Sequence, residues 1–217
     1  MKREGIKYPA FADKFARIDF EAEPLPVLCL YPIPEPVDLE ALRVSVVDLD
    51  RKRRSVAWKA LSGVPRITLR QPLICQIFNW SEVVEWEGLR LVDVLDHLDL
   101  DTSSDGYYAF YSRDGHYFET LSRQEARDPR VLLAYGLNGG PLPLEHGAPL
   151  RLVVPFLQGY KSVKWIRKIR AFRTNPLGLK RLTGQSSDYR LSEEWKRRYG
   201  IVPPGEAPDD GAGTGGA

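Results

Sequence analysis

The sequence predicts an α+β domain with a mixed, mostly β core and a few short helices. Two observations carry this prediction. Short apolar or alternating segments of strand length recur along the chain and are separated by turn residues. The helical patterns between them are few and short, and they do not alternate with the strands as in a βαβ array. Neither a GxGxxG nor a GxxxxGK phosphate loop is present.

Composition indicates one globular domain with flanking segments. The chain has 217 residues, of which 43% are hydrophobic and 28% charged, and its formal net charge is +2. This length allows a sizeable core. Residues 1–36 are charged and then proline-rich, so we expect an extended arm along the domain. Residues 37–202 form the predicted domain. Residues 203–217 have no large apolar side chain and are expected to be disordered.

The first half of the domain contains two predicted strands. Apolar residues alternate with polar ones over residues 42–46, the period of a half-buried strand. Ser55 is expected to cap a short helix that runs to Leu61. A second strand covers residues 67–75. A loop that holds two tryptophans is predicted over residues 76–88.

The middle of the chain combines helical and strand patterns. Leucine and valine recur over residues 91–98 at helical spacing, which indicates a helix with one apolar face. Residues 107–112 are an aromatic-rich strand, followed by a turn at residues 113–115. Ser122 and Glu125 fit a capping box that opens a short helix.

The rest of the domain is predicted to be mostly β. Strands are expected at residues 131–135, 151–154 and 163–172, with a turn at residues 138–140 and a terminal helix at residues 192–199.

The stretch from His146 to Ile166 carries the strongest chemical signal. Arg151 opens a short apolar strand, where a buried guanidinium needs either an anion or several acceptors. An internal ion pair is the alternative. Gly159 permits a tight turn, and Lys161 and Lys164 follow it. Such cations could clamp a phosphorylated ligand, whereas the alternative is a loop with solvated lysines.

The two cysteines, Cys29 and Cys75, form neither a CxxC pair nor a zinc pattern. A disulfide between them is not expected in a reducing compartment. On its own, Cys75 at a strand end is more typical of a small buried hydrophobic residue than of a ligand. Cys29, between two leucines, is interpreted as core or as packing beside the arm.

Two adjacent motifs resemble the molybdopterin-binding domain of the sulfite oxidase family. Residues 147–155 are Gly-Ala-Pro-Leu-Arg-Leu-Val-Val-Pro, and residues 159–165 are Gly-Tyr-Lys-Ser-Val-Lys-Trp. The similarity covers about residues 30–175. It implies the sulfite-oxidase fold, with a molybdenum-molybdopterin cofactor near the centre of the domain. The cysteine, the following aromatic Trp80 and the segment 86–91 match the family pattern as well.

The resemblance assigns roles to individual residues. It implies that the Cys75 thiolate binds molybdenum and takes part in catalysis, since a soft thiolate suits a soft, redox-active metal. His146 and Arg151 match positions that contact the pterin, the first being either His or Asn in the family. Ser112 falls where the sulfoxide-reductase branch has a threonine that touches the cofactor. The loop that grips the cofactor phosphate corresponds to Lys161, Ser162, Val163 and Lys164.

One departure concerns the substrate side. The glutamate that commonly follows two residues after the cysteine in the sulfoxide-reductase branch is Ile77 here. This segment, residues 76–79, motivates a second hypothesis, a non-catalytic cofactor-binding module of the same fold. The first hypothesis is a molybdenum-cofactor-dependent oxidoreductase that transfers an oxygen atom to or from a small substrate such as sulfite or a sulfoxide. Because the sequence has no CxxCH haem motif, electrons are expected to pass to or from a separate partner.

The remaining charged segments and histidines are interpreted without a functional role. The basic segment 164–181 is expected to be a solvated strand edge and not a nucleic-acid surface, because its aromatics are not interleaved as a stacking platform. His97 is expected to be exposed, and His116 to lie in a turn. The sequence has neither a transmembrane run nor an export signal at its N-terminus, so a cytoplasmic location is predicted.

Overall fold

The computed structural model describes residues 25–28, 31–182, 184 and 189–205, apart from the side chain of Ile77. The predictions for residues 1–24, for Cys29 and for the tail from residue 206 onward lie outside the described residues. Residues 31–36 carry no helix or strand.

Ten strands in the described chain form two sheets. They are β1 (Arg43–Val47), β2 (Arg53–Ala57), β3 (Arg66–Cys75), β4 (Trp80–Arg90), β5 (Tyr107–Ser112), β6 (Phe118–Ser122), β7 (Leu132–Leu137), β8 (Gly140–Pro141), β9 (Arg151–Val153) and β10 (Ile166–Phe172). The first sheet has the order β2-β1-β10-β5-β6, and the second has the order β3-β4-β7-β8 with β9 also paired to β7. Only β1 and β10 pair in parallel among these strands.

The helices are short, as the sequence predicts. They are α1 (Leu91–His97), α2 (Arg123–Ala126), α3 (Leu179–Leu182) and α4 (Glu193–Tyr199). The apolar face of α1 is buried in the main core. The capping box at α2 is confirmed: Ser122 Oγ accepts from Glu125 N at 3.2 Å, and Glu125 Oε2 accepts from Ser122 N at 2.7 Å. The α+β fold class is therefore confirmed, with mixed sheets and few helices.

The main core lies against the inner face of the first sheet. Its largest fully buried side chains include Tyr108, Phe110 and Phe156. Burying each such side chain stabilises the folded state by about 1.5–3 kcal/mol before the entropy cost of ordering it. A second cluster centres on Trp86, between β4, β7 and β9. These two clusters hold the strand ends that carry the candidate site.

The predicted loop at residues 76–88 is wrong, because β4 begins at Trp80 and pairs with all of β3. A short turn at Gln76–Phe78 and a left-handed Asn79 (φ 49°) reverse the chain. Along β4, Trp80, Val84 and Trp86 are buried, and the residues between them are partly or fully exposed. This is the alternation of a half-buried strand, and the tryptophans belong to its inner face. Cys75 is, as predicted, the last residue of a strand.

Three further predictions need correction. Ser55 lies inside β2, and Ala57 precedes the short helical turn Trp58–Leu61. The last strand of the sheets starts at Ile166 instead of residue 163. That strand, which carries part of the basic segment, lies between β1 and β5 and is not a sheet edge. Its charged side chains are accommodated because one face of the sheet meets solvent there, as Arg167 shows by its exposure.

In the portion of the chain that the structure describes, no helix is both long enough and apolar enough to cross a membrane.

Candidate cofactor-binding site

A cavity of about 190 Å³ opens where the end of β3 meets the loops around β9 and the turn between β5 and β6. These elements come from distant parts of the sequence, so the cavity exists only in the folded domain. Six of the residues singled out in the sequence line it: Cys75, Ser112, His146, Arg151, Ser162 and Lys164.

Cys75 sits where the β3–β4 hairpin turns. It is half-buried, lies opposite Trp80 in the hairpin register and lines the cavity. Because β3 and β4 pair over their whole length, the backbone around Cys75 is held by the ladder on one side and by the short turn on the other. The thiol is therefore presented from a well-supported strand end.

Gly147 brings the strand residue Arg151 and the loop residue Lys164 close together. It has φ 114°, and a Cβ at this position would lie 3.0 Å from Arg151 Cβ and 3.1 Å from Lys164 Cβ. Only glycine combines this backbone angle with such a close approach. The Gly-Ala-Pro motif thus serves to pack the two cationic side chains around one turn.

Arg151 is the first residue of β9 and is 3% exposed. Its Nη1 donates to His146 O at 2.9 Å, and its Nη2 donates to Ser162 O at 3.3 Å. The guanidinium carbon lies 4.9 Å from the centre of the Trp86 ring. Main-chain carbonyls and an aromatic face therefore supply the several acceptors that a buried arginine requires.

His146 is buried, and its pKa is lowered to about 4. Burial is the largest cause, and the cations of Lys164 and Arg151 add to it. The imidazole is therefore neutral at physiological pH, with one nitrogen that donates and one that accepts.

Lys164 and Trp165 are held by main-chain carbonyls of the turn Leu144–His146 and of Leu28. Lys164 Nζ donates to Glu145 O at 2.8 Å and to Leu28 O at 3.1 Å. Trp165 has a left-handed φ of 55°, and its Nε1 donates to Leu144 O at 2.7 Å. A positive φ at a bulky residue persists only where the surroundings impose it. The buried indole thus fixes the direction in which its neighbour Lys164 enters the cavity.

Two hydroxyls complete the polar wall. Ser162 Oγ accepts from Val154 N at 3.0 Å, and Ser112 Oγ accepts from Asp114 N at 3.2 Å. Both side chains are buried. A hydroxyl that accepts a main-chain hydrogen bond can still donate its own hydrogen to a ligand.

Lys161 and Val163, which are predicted to grip the cofactor phosphate, are not among the described residues that line the cavity. Lys161 Nζ donates to Thr120 O at 2.8 Å and lies 3.2 Å from Glu119 Oε2. Val163 is fully buried in the main core. Their amides donate within the local turn, to Gln158 O at 2.9 Å and to Lys161 O at 3.1 Å. The Lys161 side chain points into the interior because its ammonium group pairs there with the carboxylate of Glu119, on β6.

Sequence reasoning missed several lining residues. Lys180 was grouped with the solvated basic segment, yet it lines the cavity, and burial lowers its pKa. Tyr117 donates its hydroxyl hydrogen to Tyr160 O at 2.7 Å, and burial raises its pKa well above the ordinary value. An apolar wall of the cavity is formed by Leu28, Leu73 and Phe78, together with Trp80, which the family pattern already includes. No local pattern signals these residues, because distant strand pairings place them there.

The two other histidines lie outside the polar wall of the cavity. His97 is exposed, as predicted, and its Nε2 is 2.8 Å from Ala60 O. His116 lies in the β5–β6 turn, as predicted, and its ring stacks on that of Tyr31 at 5.1 Å between centroids. Because Tyr31 lines the cavity, this stack borders the site.

The donor set fits a metal-bearing, phosphorylated cofactor. One thiol offers a soft metal ligand, Lys164 and Lys180 offer positive charge to an anion, and neutral His146 can bond a heterocycle edge. The buried hydroxyls and Arg151 surround the same space. Fold and site together define a domain that binds a metal–organic redox cofactor.

Comparison with known families places the chain within that class. Residues 31–179 match the family described as oxidoreductase molybdopterin binding domain. The chain belongs to this family, and the resemblance to the sulfite oxidase family is confirmed.

Three curated relatives are similar over parts of their length. The protein-methionine-sulfoxide reductase catalytic subunit MsrP of Xanthomonas axonopodis pv. citri is 41% identical over 112 residues, which are 45% of this chain and 34% of the relative. MsrP of Gluconobacter oxydans is 33% identical over 149 residues, 61% of this chain and 47% of the relative. The chain thus spans a third to a half of these relatives. The uncharacterized oxidoreductase YuiH of Bacillus subtilis is 29% identical over 154 residues, 70% and 76% of the two chains.

One solved structure shares the fold. The sulfane dehydrogenase SoxCD of Paracoccus pantotrophus superposes with a TM-score of 0.54 at 20% identity, covering 67% of this chain and 41% of that chain. At this identity the likeness concerns the fold alone.

Proposed function

We propose that this protein is a molybdenum-cofactor-dependent oxidoreductase that transfers an oxygen atom to or from a small substrate such as sulfite or a sulfoxide. The observation that carries the proposal is the meeting of the Cys75 thiol with Arg151, Lys164 and His146 around one cavity. When bound, the cofactor supplies a redox-active metal that can accept or release an oxygen atom. The chain supplies binding, orientation and exclusion of water.

Cys75 would hold the molybdenum through its sulfur. The thiolate is the ligand form, so binding of the metal releases the thiol proton. Because Cys75 ends a fully paired strand, its sulfur is held in place with little loss of side-chain freedom on binding.

The cationic and hydrogen-bonding groups would hold the organic part. Lys164 and Lys180 would face the phosphate, because both cationic residues line the cavity. Neutral His146 and the Ser112 and Ser162 hydroxyls would bond the polar edge of the pterin. Arg151 supports the arrangement by tying His146 to Ser162 through their carbonyl oxygens.

The apolar wall would form the substrate side. Leu73, Phe78 and Trp80 flank Cys75 and would exclude water from the metal. Excluding water strengthens every electrostatic contact in the site. Two of the relatives are named catalytic subunits, which supports the proposal that a separate protein exchanges electrons with this one.

The proposal is tested by metal content and turnover. Protein made in a host that synthesises molybdopterin should contain close to one molybdenum per chain and melt at a higher temperature than protein from a strain blocked in that pathway. Turnover is then measured with a sulfoxide and an artificial electron donor, and with sulfite and an artificial acceptor. Molybdenum without turnover in either assay would favour the non-catalytic binding module. No molybdenum, together with equal melting temperatures, would overturn both.

A further inference from the structure

A C-terminal strap, residues 189–201, follows the end of the family match at residue 179 and packs against segments that line the cavity. It comprises an extended piece and helix α4, whose N-cap is Ser192. It makes hydrogen bonds with two residues that line the cavity, and both of those residues are glutamines. They are Gln76, which directly follows Cys75, and Gln158, which directly precedes the turn Gly159–Lys161.

The first anchor joins the strap to the Cys75 end of the hairpin. Ser192 N donates to Gln76 Oε1 at 2.6 Å. Behind this bond, Leu191 and Trp195 pack against Ile74 in a separate buried cluster. The strap therefore holds the residues on both sides of Cys75, one by a hydrogen bond and the other by apolar contact.

The second anchor joins the strap to the turn that leads to Ser162 and Lys164. Gln158 N donates to Tyr189 O at 3.0 Å, and Gln158 Nε2 donates to Arg190 O at 3.1 Å. Leu157 and Arg190 also form a β-bridge. The chain before Gly159 is thus paired to the strap as a short piece of sheet.

The two anchored segments also touch each other directly. A Cβ at Gly159 would lie only 2.7 Å from Ile74 O, so the turn is pressed against the end of β3. The strap reinforces this contact, because it binds both Gln76, next to Cys75, and Gln158, next to Gly159. The three segments therefore form one locked unit at the floor of the cavity.

We propose that Gln76 and Gln158 are positioning residues through which the C-terminal strap fixes the separation between Cys75 and the turn Gly159–Lys161. This inference rests on the proposed function, in which the two sides hold the metal and the phosphate end of one cofactor. A rigid cofactor fits only one separation, so loss of an anchor should loosen the cofactor and change the metal environment. It also gives a role to the first residue of the segment 76–79, since Gln76 is the acceptor that the strap binds.

The sharpest test removes a single N–H group. Ser192 has φ −64°, which proline adopts without strain, and its side chain makes no capping hydrogen bond. Ser192→Pro therefore deletes the donor to Gln76, whereas Ser192→Ala keeps it and serves as the matched control. Gln76→Met removes the acceptor at similar length, and Gln71→Met, on β3 and not among the described residues that line the cavity, is its control.

Each variant is measured both as apo protein and as loaded protein. In apo protein, alkylation of Cys75 is timed by peptide mapping. In loaded protein, release of molybdopterin and the position of the sulfur-to-metal absorption band are recorded. Ser192→Pro and Gln76→Met should each speed alkylation and release by about two- to tenfold, as expected for one hydrogen bond, and shift the band. The double variant should be no worse than either single one, because both delete the same bond.

Either of two results overturns the inference: Ser192→Pro and Gln76→Met that match their controls in every measurement, or fully additive effects in the double variant. A change in global stability alone would not move the absorption band, so the band separates positioning from simple destabilisation. The alkylation assay needs no metal. Faster alkylation in a protein that never binds molybdenum would therefore support the strap while rejecting the proposed function.

Discussion

Lys161 and Glu119 form an ion pair in the interior of the domain, with Nζ 3.2 Å from Oε2 and side-chain exposures of 7% and 2%. Burial raises the pKa of Glu119, and the Lys161 cation opposes that rise. Glu119 Oε1 also accepts from Lys180 N at 2.9 Å. The pair thus ties the turn Gly159–Lys161 to β6 and to the segment that brings Lys180 to the cavity.

Lys161→Met should destabilise the fold itself, with or without cofactor. It leaves a buried carboxylate without its cation, which costs about 3–5 kcal/mol. Urea denaturation of the apo protein measures the loss. Adding Glu119→Gln should restore much of the stability, because the charge to be buried is then gone. A lysine that served only to grip phosphate would leave the stability of the apo protein unchanged.

Cys75→Ser should change the metal and spare the fold. Serine replaces a soft thiolate with a hard hydroxyl of nearly the same size. We therefore expect the sulfur-to-metal absorption to shift and oxygen-atom transfer to fall by orders of magnitude. Cys29→Ser is the control and should leave the spectrum unchanged. If Cys75 were only a buried structural thiol, stability would drop by about 1–3 kcal/mol, while spectrum and activity per molecule stayed the same.

Lys164→Glu should release the cofactor, whereas Lys168→Glu should not. Lys164 lines the cavity, so a carboxylate there would repel a bound phosphate. Lys168 lies on β10 with its Nζ 3.8 Å from the centre of the Tyr111 ring, and it is not among the described residues that line the cavity. Molybdopterin content per chain, read by fluorescence after oxidation, makes the comparison. Equal retention in the two variants would place the phosphate elsewhere.

Arg151→Glu should behave differently from Lys164→Glu. Arg151 is buried and bonds the carbonyl oxygens of His146 and Ser162, so its replacement by a carboxylate buries a charge beside two acceptors. We expect a loss of several kcal/mol in the apo protein as well as loss of cofactor. Thermal unfolding of apo protein separates the two variants, since Lys164→Glu should melt much closer to the unaltered chain.

His146 should make the apo protein less stable in mild acid. Its folded pKa is about 4, below the ordinary 6.5, so between these values the unfolded chain binds a proton that the folded chain does not. Stability is therefore fully present above about pH 6.5 and falls as the pH decreases through that window. His146→Asn, which cannot titrate, should lose less stability over the same range in urea denaturation. Parallel pH profiles for the two proteins would contradict the buried neutral imidazole.

Sequence reasoning succeeded where neighbours along the chain decide the structure. The helix at Leu91–His97, the capping box of Ser122 and Glu125, and the turn at Asn138 and Gly139 all depend on residues a few positions apart. The placement of Cys75 at a strand end is of the same kind. Likewise, the motif around Gly147 keeps His146 and Arg151 together because one short turn connects them, and Lys164 packs close to the same glycine.

Sequence reasoning failed where residues far apart in the sequence determine the strand pairing or the direction of a side chain. Whether Lys161 or Lys180 faces the cavity depends on Glu119, which lies far from both in sequence. The strand β4 was mistaken for a loop because its inner tryptophan side chains are separated by charged residues that only the pairing with β3 explains. A short window of the sequence leaves out most of those partners. The same holds for the contact between Ser192 and Gln76.

The parallel pairing of β1 with β10 has a consequence for folding during synthesis. Ser45 lies opposite Lys168, so nearly the whole domain separates two adjacent strands. During synthesis, one edge of β1 must wait unpaired until β10 has left the ribosome. Folding is slow when the paired strands are far apart in the sequence, and an unpaired strand edge promotes aggregation. Because His146 and Lys164 lie just before β10 in the chain, the wall of the cavity that they form can assemble only after most of the domain has been made.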